Sequence, residues 1–146
     1  GPTASYNWDK TGLQATLLEV PASKLIMGIP LYMRLWHFDA KEKRFRAKTL
    51  SMPQAAKIHE EKSTDETYRC LWLEKEKMLY VSYMEKDVPY CFWQENEQSL
   101  RYKAELVNTF RLAGIAAWRY GFETPDIWPM LGETSQQEKA QVPQTK

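Results

Sequence analysis

The sequence predicts an α/β fold in which a small α+β piece interrupts a strand-helix-strand unit, and three observations carry that prediction. Two short, nearly continuous apolar runs, Lys24–Tyr32 and Gly114–Arg119, have the pattern of strands buried on both faces in a parallel sheet. Helical spacing of apolar residues precedes each run. Between them, residues 66–94 alternate with a period of two, the mark of an antiparallel meander.

The elements follow in order. Asp9 can cap a first helix over residues 10–19, with Leu13, Leu17 and Leu18 on its apolar face and Pro21 forbidding continuation. The first strand comes next. Residues 33–48 are basic and aromatic without clean periodicity, which predicts a long loop leaving the strand's C-terminal end. Ser51 with Gln54 forms a capping-box pattern for a second helix over 52–61, with Met52, Ala55, Ala56 and Ile58 on its apolar side.

In the meander, Tyr68/Cys70/Trp72, Leu79/Val81/Tyr83 and Val88/Tyr90/Phe92 mark three strands separated by charged turns at Glu74–Lys77 and Glu85–Asp87. Ser99 opens a third helix carrying Leu100, Ala104, Val107 and Phe110, and Gly114 is placed to close it. After the second buried-type strand, Thr124-Pro125 starts a short helix ending near Gly132. Residues 133–146 are too polar to bury much and are expected to be a disordered tail. The implied division is 1–36 and 98–132 for the strand-helix framework, with 37–97 as the inserted piece. Two parallel strands do not make a finished sheet, so the topology describes part of a domain.

Composition narrows the function. The 146 residues are 43% hydrophobic, enough for one core, and a net charge of +1 supplies no field to attract nucleic acid or an anionic membrane. No apolar run approaches the ~20 residues that span a bilayer, and Gly1–Ser5 lacks signal-peptide character. Cys70 and Cys91 belong to no CxxC, so neither a disulfide framework nor a thiolate metal site is expected. His37 and His59 have no second ligand at metal spacing and read as ordinary surface or loop histidines. There is no GxSxG elbow and no glycine-rich phosphate loop. No metal or cofactor is expected.

The residues that carry chemistry sit at the C-terminal ends of the two apolar strands, where α/β sheets place their sites. The first strand delivers Tyr32, Arg34 and Trp36, and the second delivers Trp118 and Arg119. Aromatic plates beside a guanidinium fork suit sugars, whose C–H faces stack on indole while Arg donates to hydroxyl and carbonyl oxygens.

At these residues the chain resembles the C-terminal portion of a family-18 glycoside hydrolase, the chitinase-like (β/α)8 barrels, most closely the bacterial spore-germination and cortex-lytic branch. ASYNWDKTGLQATLLEVPASKLIMGIPLYMRLW is similar to the sixth helix and seventh strand of those enzymes. RYKAELVNTFRLAGIAAWRYGFETPDIWPML is similar to their seventh helix, eighth strand and eighth helix. The meander ending YCFWQENEQSL resembles the family's α+β insertion, which closes with a Trp and an acidic pair. Met33 stands where the family usually has a small residue, and Asn96 where a second acid is usual. The resemblance covers about residues 4–132.

It implies a C-terminal portion of a TIM barrel carrying an α+β insertion, with Trp118 as the aromatic floor under the sugar. Tyr32, Arg34, Trp36, Trp93 and Glu95 would line the same cleft. In such enzymes the Glu of a DxxDxDxE motif protonates the glycosidic oxygen while the substrate's own N-acetyl group acts as nucleophile. Neither that motif nor the family's MxYD segment occurs in these 146 residues. The resemblance thus implies binding surface without the proton donor, inactive alone, acting in its parent on an N-acetylglucosamine-containing polysaccharide, peptidoglycan cortex before chitin. Its partners would be that polymer and either the N-terminal part of the barrel or a second copy. The parent would be extracellular, at the cell wall or spore. A different class of function stays open at this stage, a non-catalytic carbohydrate-binding or structural module that kept the cleft's aromatic floor, and so does a fragment with no separate function.

Overall fold

The computed structural model describes residues 1–137 and is mixed α/β. Its elements are α1 (Tyr6–Thr16), a 3-10 turn (Ala22–Lys24), β1 (Ile26–Pro30), β2 (Tyr32–Asp39), β3 (Arg44–Ser51), α2 (Met52–Lys62), β4 (Arg69–Leu73), β5 (Met78–Glu85), β6 (Val88–Gln94), α3 (Glu97–Thr109), β7 (Gly114–Trp118) and α4 (Ile127–Gln137). β1 and β7 form a parallel pair, with Ile26 opposite Gly114 and Pro30 opposite Trp118. The other five strands form one antiparallel sheet in the order β3-β2-β6-β5-β4.

Local signals account for much of this. The α2 capping box is complete, since Ser51 Oγ accepts from the Gln54 N–H and Gln54 Oε1 accepts from the Ser51 N–H at 2.9 Å. The meander forms in the expected register, with Val81 opposite both Cys70 and Phe92. Its turns place Lys77, Lys86 and Asp87 at positive φ.

Several expectations are corrected. Residues 33–48 are not a loop but most of the β2–β3 hairpin, in which Phe38 faces Phe45 and the two rings meet edge to face at 5.4 Å. Asp39 Oδ1 accepts from the N–H groups of Lys41 and Glu42 and so closes the turn. β3 is an edge strand exposed along most of its length, so it shows no hydrophobic alternation, and its row of cations discourages pairing with another chain.

Helix α1 begins at Tyr6 with Ser5 at its cap position, which places Asp9 inside the first turn and buried. Leu18 is 86% exposed and takes no part in the apolar face. Asn96, not Ser99, caps α3, and Ser99 returns the capping box from inside the helix. Arg111, at φ 53, makes the left-handed turn after α3, and Gly114 starts β7 instead. β1 alternates between exposed and buried, with Ile26 66% and Ile29 1% exposed, rather than being buried throughout. α4 starts at Ile127 and continues to Gln137, into the segment expected as a tail; residues 138–146 lie outside the described residues.

One core joins both sheets. Ile29 on β1, Leu31 in the link that follows it, Met33 and Leu35 on β2, Val81 and Phe92 in the meander, Leu100 and Leu106 on α3 and Ile127 on α4 belong to the same buried cluster. The shared core holds the parallel pair and the antiparallel sheet in a fixed relation, and only Leu31 separates β1 from β2.

Candidate functional site

Strand alternation sorts the antiparallel sheet into two faces. Met33, Leu35, Leu50, Val81, Tyr83 and Phe92 point into the core with Met52 and Ala55 of α2. Tyr32, Arg34 and Trp36 point the other way on β2. Trp36 pairs with Cys91, so Cys91 and Trp93 share that face, and Trp93 pairs with Tyr80 at a ring separation of 5.1 Å. Tyr32, Trp36, Tyr80 and Trp93 are half-buried and Arg34 is exposed. The Arg34 guanidinium lies 5.9 Å from the Tyr32 ring and donates to Thr49 Oγ1 at 3.4 Å. Trp36 Nε1 donates to the carbonyl of Gly1 at 3.0 Å.

Trp118 lies at the end of β7, 68% exposed, and its carbonyl accepts from the Leu31 N–H at 2.6 Å. That bond ties it to the link from which Tyr32 starts β2. The expected aromatic set is thus split into Tyr32, Arg34, Trp36 and Trp93 on one sheet face and Trp118 at the adjoining strand end. Tyr80 joins the first group without having been expected. Its alternation places it beside Leu79 and Val81, and only the strand register reveals that it faces Trp93.

Glu95 does not line that face. It is fully buried, ion-paired with the equally buried Lys103, and it accepts from Ser99 Oγ at 2.7 Å. Lys103 Nζ also donates to the Ala4 carbonyl at 2.6 Å. Asp9 completes the cluster, and its carboxyl is pushed up to about 6, chiefly by burial, with Lys103 pulling it down and Glu95 pushing it up. A carboxylate so enclosed organises the junction of α1, α3 and β6; it has no route to a ligand on the aromatic face.

His37 and His59 stand on a strand and a helix rather than in loops. His37 stacks on Tyr90 at 5.4 Å, and His59 bridges the Tyr68 hydroxyl and Gln94 Oε1. Cys70 and Cys91 are both free, and the register sets them on opposite faces of the sheet. Among the described residues no group of three or more His, Cys, Asp or Glu is placed to hold a metal ion, and no helix is long and apolar enough to cross a membrane.

The molecule is thus an α/β protein in which a parallel strand pair with an exposed aromatic residue at its C-terminal end leads into an antiparallel sheet with aromatic residues on one face. The chain belongs to the glycosyl hydrolases family 18, whose sequence profile matches residues 1–123. It is 31% identical over 137 residues to the uncharacterized glycosylase YvbX of Bacillus subtilis strain 168, covering 90% of this chain and 36% of that protein. It is 25% identical over 122 residues to the cortical fragment-lytic enzyme of the same strain, covering 83% of this chain and 27% of that protein.

The fold is similar to the crystal structure of a chitinase from Chromobacterium violaceum, with a TM-score of 0.80 and 24% identity over 92% of this chain and 40% of the other. It is also similar to the spore cortex-lytic enzyme SleL of Bacillus megaterium, with a TM-score of 0.79 and 23% identity over 92% of this chain and 31% of the other. The chain spans about a third of the length of the curated relatives it matches.

Proposed function

We propose that this chain is the C-terminal portion of a (β/α)8 barrel carrying an α+β insertion, and that in its parent glycosidase it supplies part of the cleft that holds an N-acetylglucosamine-containing polysaccharide. In this reading α1, β1, α3, β7 and α4 are barrel elements, and the antiparallel sheet with α2 is the insertion. The insertion then begins with β2 at Tyr32, so the boundary expected between residues 36 and 37 falls within that strand. Trp118 is the floor of the cleft, and Tyr32, Arg34, Trp36, Trp93 and Tyr80 form its wall. Glu95 and Lys103 brace that wall from within.

The observation that carries the reading is the grouping of Tyr32, Arg34, Trp36 and Trp93 on one sheet face beside an exposed Trp118. A pyranose offers an apolar C–H face to such rings and hydroxyls to the guanidinium. Peptidoglycan cortex is the favoured polymer, because a curated relative is named for lysis of cortical fragments, and a spore or cell-wall location follows from it.

Substrate-assisted hydrolysis needs an acid held beside the glycosidic oxygen. The family's DxxDxDxE motif is not among these residues. The chain's contribution is therefore to bind and orient, and the proton donor comes from a segment bearing that motif. Calorimetric titration with cortex muropeptide fragments and with N-acetylglucosamine hexamer tests the reading. Saturable binding that Trp118→Ala weakens is expected, and no binding of either ligand would overturn it.

A further inference from the structure

The loop after Trp118 and the first turn of α4 carry a second pair of exposed rings. Tyr120 is 81% and Trp128 42% exposed, with ring centroids 6.1 Å apart and planes inclined by 35°. Large rings gathered at one place on a surface mark a contact.

The group is held in place from below. Glu123 Oε1 accepts from the Trp128 indole N–H at 2.9 Å, and Glu123 Oε2 accepts from the Gly121 N–H at 2.7 Å. Gly121, at φ +88, occupies the left-handed region that lets the chain fold back onto that carboxylate. Burial pushes the Glu123 carboxyl up, but the hydrogen bonds from Trp128 and nearby backbone N–H groups outweigh it and hold the carboxyl below its ordinary value. In the same loop the Phe122 carbonyl accepts from the Met52 N–H at 2.9 Å, which ties this turn to the start of α2.

A structural staple of this kind requires Glu123 and Trp128. It does not require a tyrosine ring displayed almost entirely to solvent. We propose that Tyr120, braced by Trp128 and by Glu123 as a positioning residue, is an additional aromatic contact for a polymer of N-acetylated sugars, one step along the polymer from Trp118. The proposal rests on the carbohydrate role given to Trp118. The two residues are only two positions apart in the chain, so a single sugar seated on Trp118 leaves Tyr120 uncovered, while an oligosaccharide that extends past Trp118 reaches the second ring. The signature is dependence on ligand length.

The test is calorimetric titration of the unaltered chain and its Tyr120→Ala, Glu123→Gln and Trp118→Ala variants with monomeric N-acetylglucosamine and with its hexamer. Tyr120→Ala is expected to weaken hexamer binding roughly three- to tenfold, leaving monosaccharide binding and the melting temperature unchanged. Glu123→Gln should act in the same direction and add nothing in the Tyr120→Ala background. Trp118→Ala should weaken both ligands. If Glu123→Gln fails to fold, Tyr120→Ala still decides, because its side chain is exposed. Hexamer binding insensitive to Tyr120→Ala, or an equal loss for both ligands, overturns the Tyr120 contact while leaving the role of Trp118 standing. No binding of the hexamer by the unaltered chain overturns both.

Discussion

Glu95 and Lys103 form an ion pair in which both side chains are fully buried, eight residues apart at the junction of β6 and α3. Burying either charge alone costs several kcal/mol, and the pair holds because Ser99 and the Ala4 carbonyl occupy the remaining hydrogen-bonding positions. Lys103→Met should lower stability by about 3–5 kcal/mol, since it leaves Glu95 charged and unpaired. Lys103→Met combined with Glu95→Gln should recover at least part of that loss. Urea denaturation of the single and double variants measures both; a double variant no more stable than Lys103→Met would show that the charge imbalance is not the cause.

Asp9 gives the cluster a pH dependence of unusual sign. Its carboxyl is pushed from 3.8 up to about 6 in the folded chain, so between those values the folded state holds the proton more tightly than the unfolded state. Its burial therefore destabilises the protein at neutral pH, and that cost disappears as pH falls through 6 towards 4. Asp9→Asn is expected to stabilise the chain by roughly 2–3 kcal/mol at pH 7 and by little at pH 4. Thermal melts of both proteins across that range check the sign, and a gap that widens on acidification would refute it.

Trp118 and Phe92 should separate binding from folding. Trp118 is 68% exposed and Phe92 fully buried, so truncating each to alanine acts on a different equilibrium. Trp118→Ala should weaken oligosaccharide affinity at least about tenfold, given the few kcal/mol that a covered indole face supplies before association costs, and should shift melting little. Phe92→Ala should cost about 3–5 kcal/mol of stability through the cavity it leaves. A large melting shift for Trp118→Ala with unchanged affinity would place its role in packing.

The 146-residue chain should not hydrolyse a fluorogenic N-acetylglucosaminide above buffer, because the one fully buried glutamate among the described residues is committed to Lys103 and the family's acid motif is not in the sequence. Turnover that survives Glu95→Gln would show that another residue serves as the acid. Turnover abolished by that change would make Glu95 the proton donor despite its burial.

Much of the antiparallel sheet was legible in the sequence, because the apolar residues of β4, β5 and β6 recur at the period of a strand and the intervening turns are short and charged. Helix α2 was legible for the same kind of reason, since the bonds of its capping box join residues only three apart. The β2–β3 hairpin was not. β3 is an edge strand carrying Arg44, Arg46 and Lys48, and a strand with little to bury leaves no apolar alternation to read. The aromatic residues of β2 were recognised as site candidates, while Tyr80 was not, because its alliance with Trp93 depends on how β5 pairs with β6.

The sequence by itself determined the residues at the ends of the two apolar strands and the family they belong to, because those properties reside in contiguous segments. Only the tertiary structure decided what Asp9 and Glu95 do. Asp9 reads locally as a helix cap and the family resemblance implies that Glu95 lines the cleft, yet folding brings both against Lys103 and buries all three. Burial and charge pairing depend on which distant segments meet, so these assignments exist only once α1, β6 and α3 have closed around the same point.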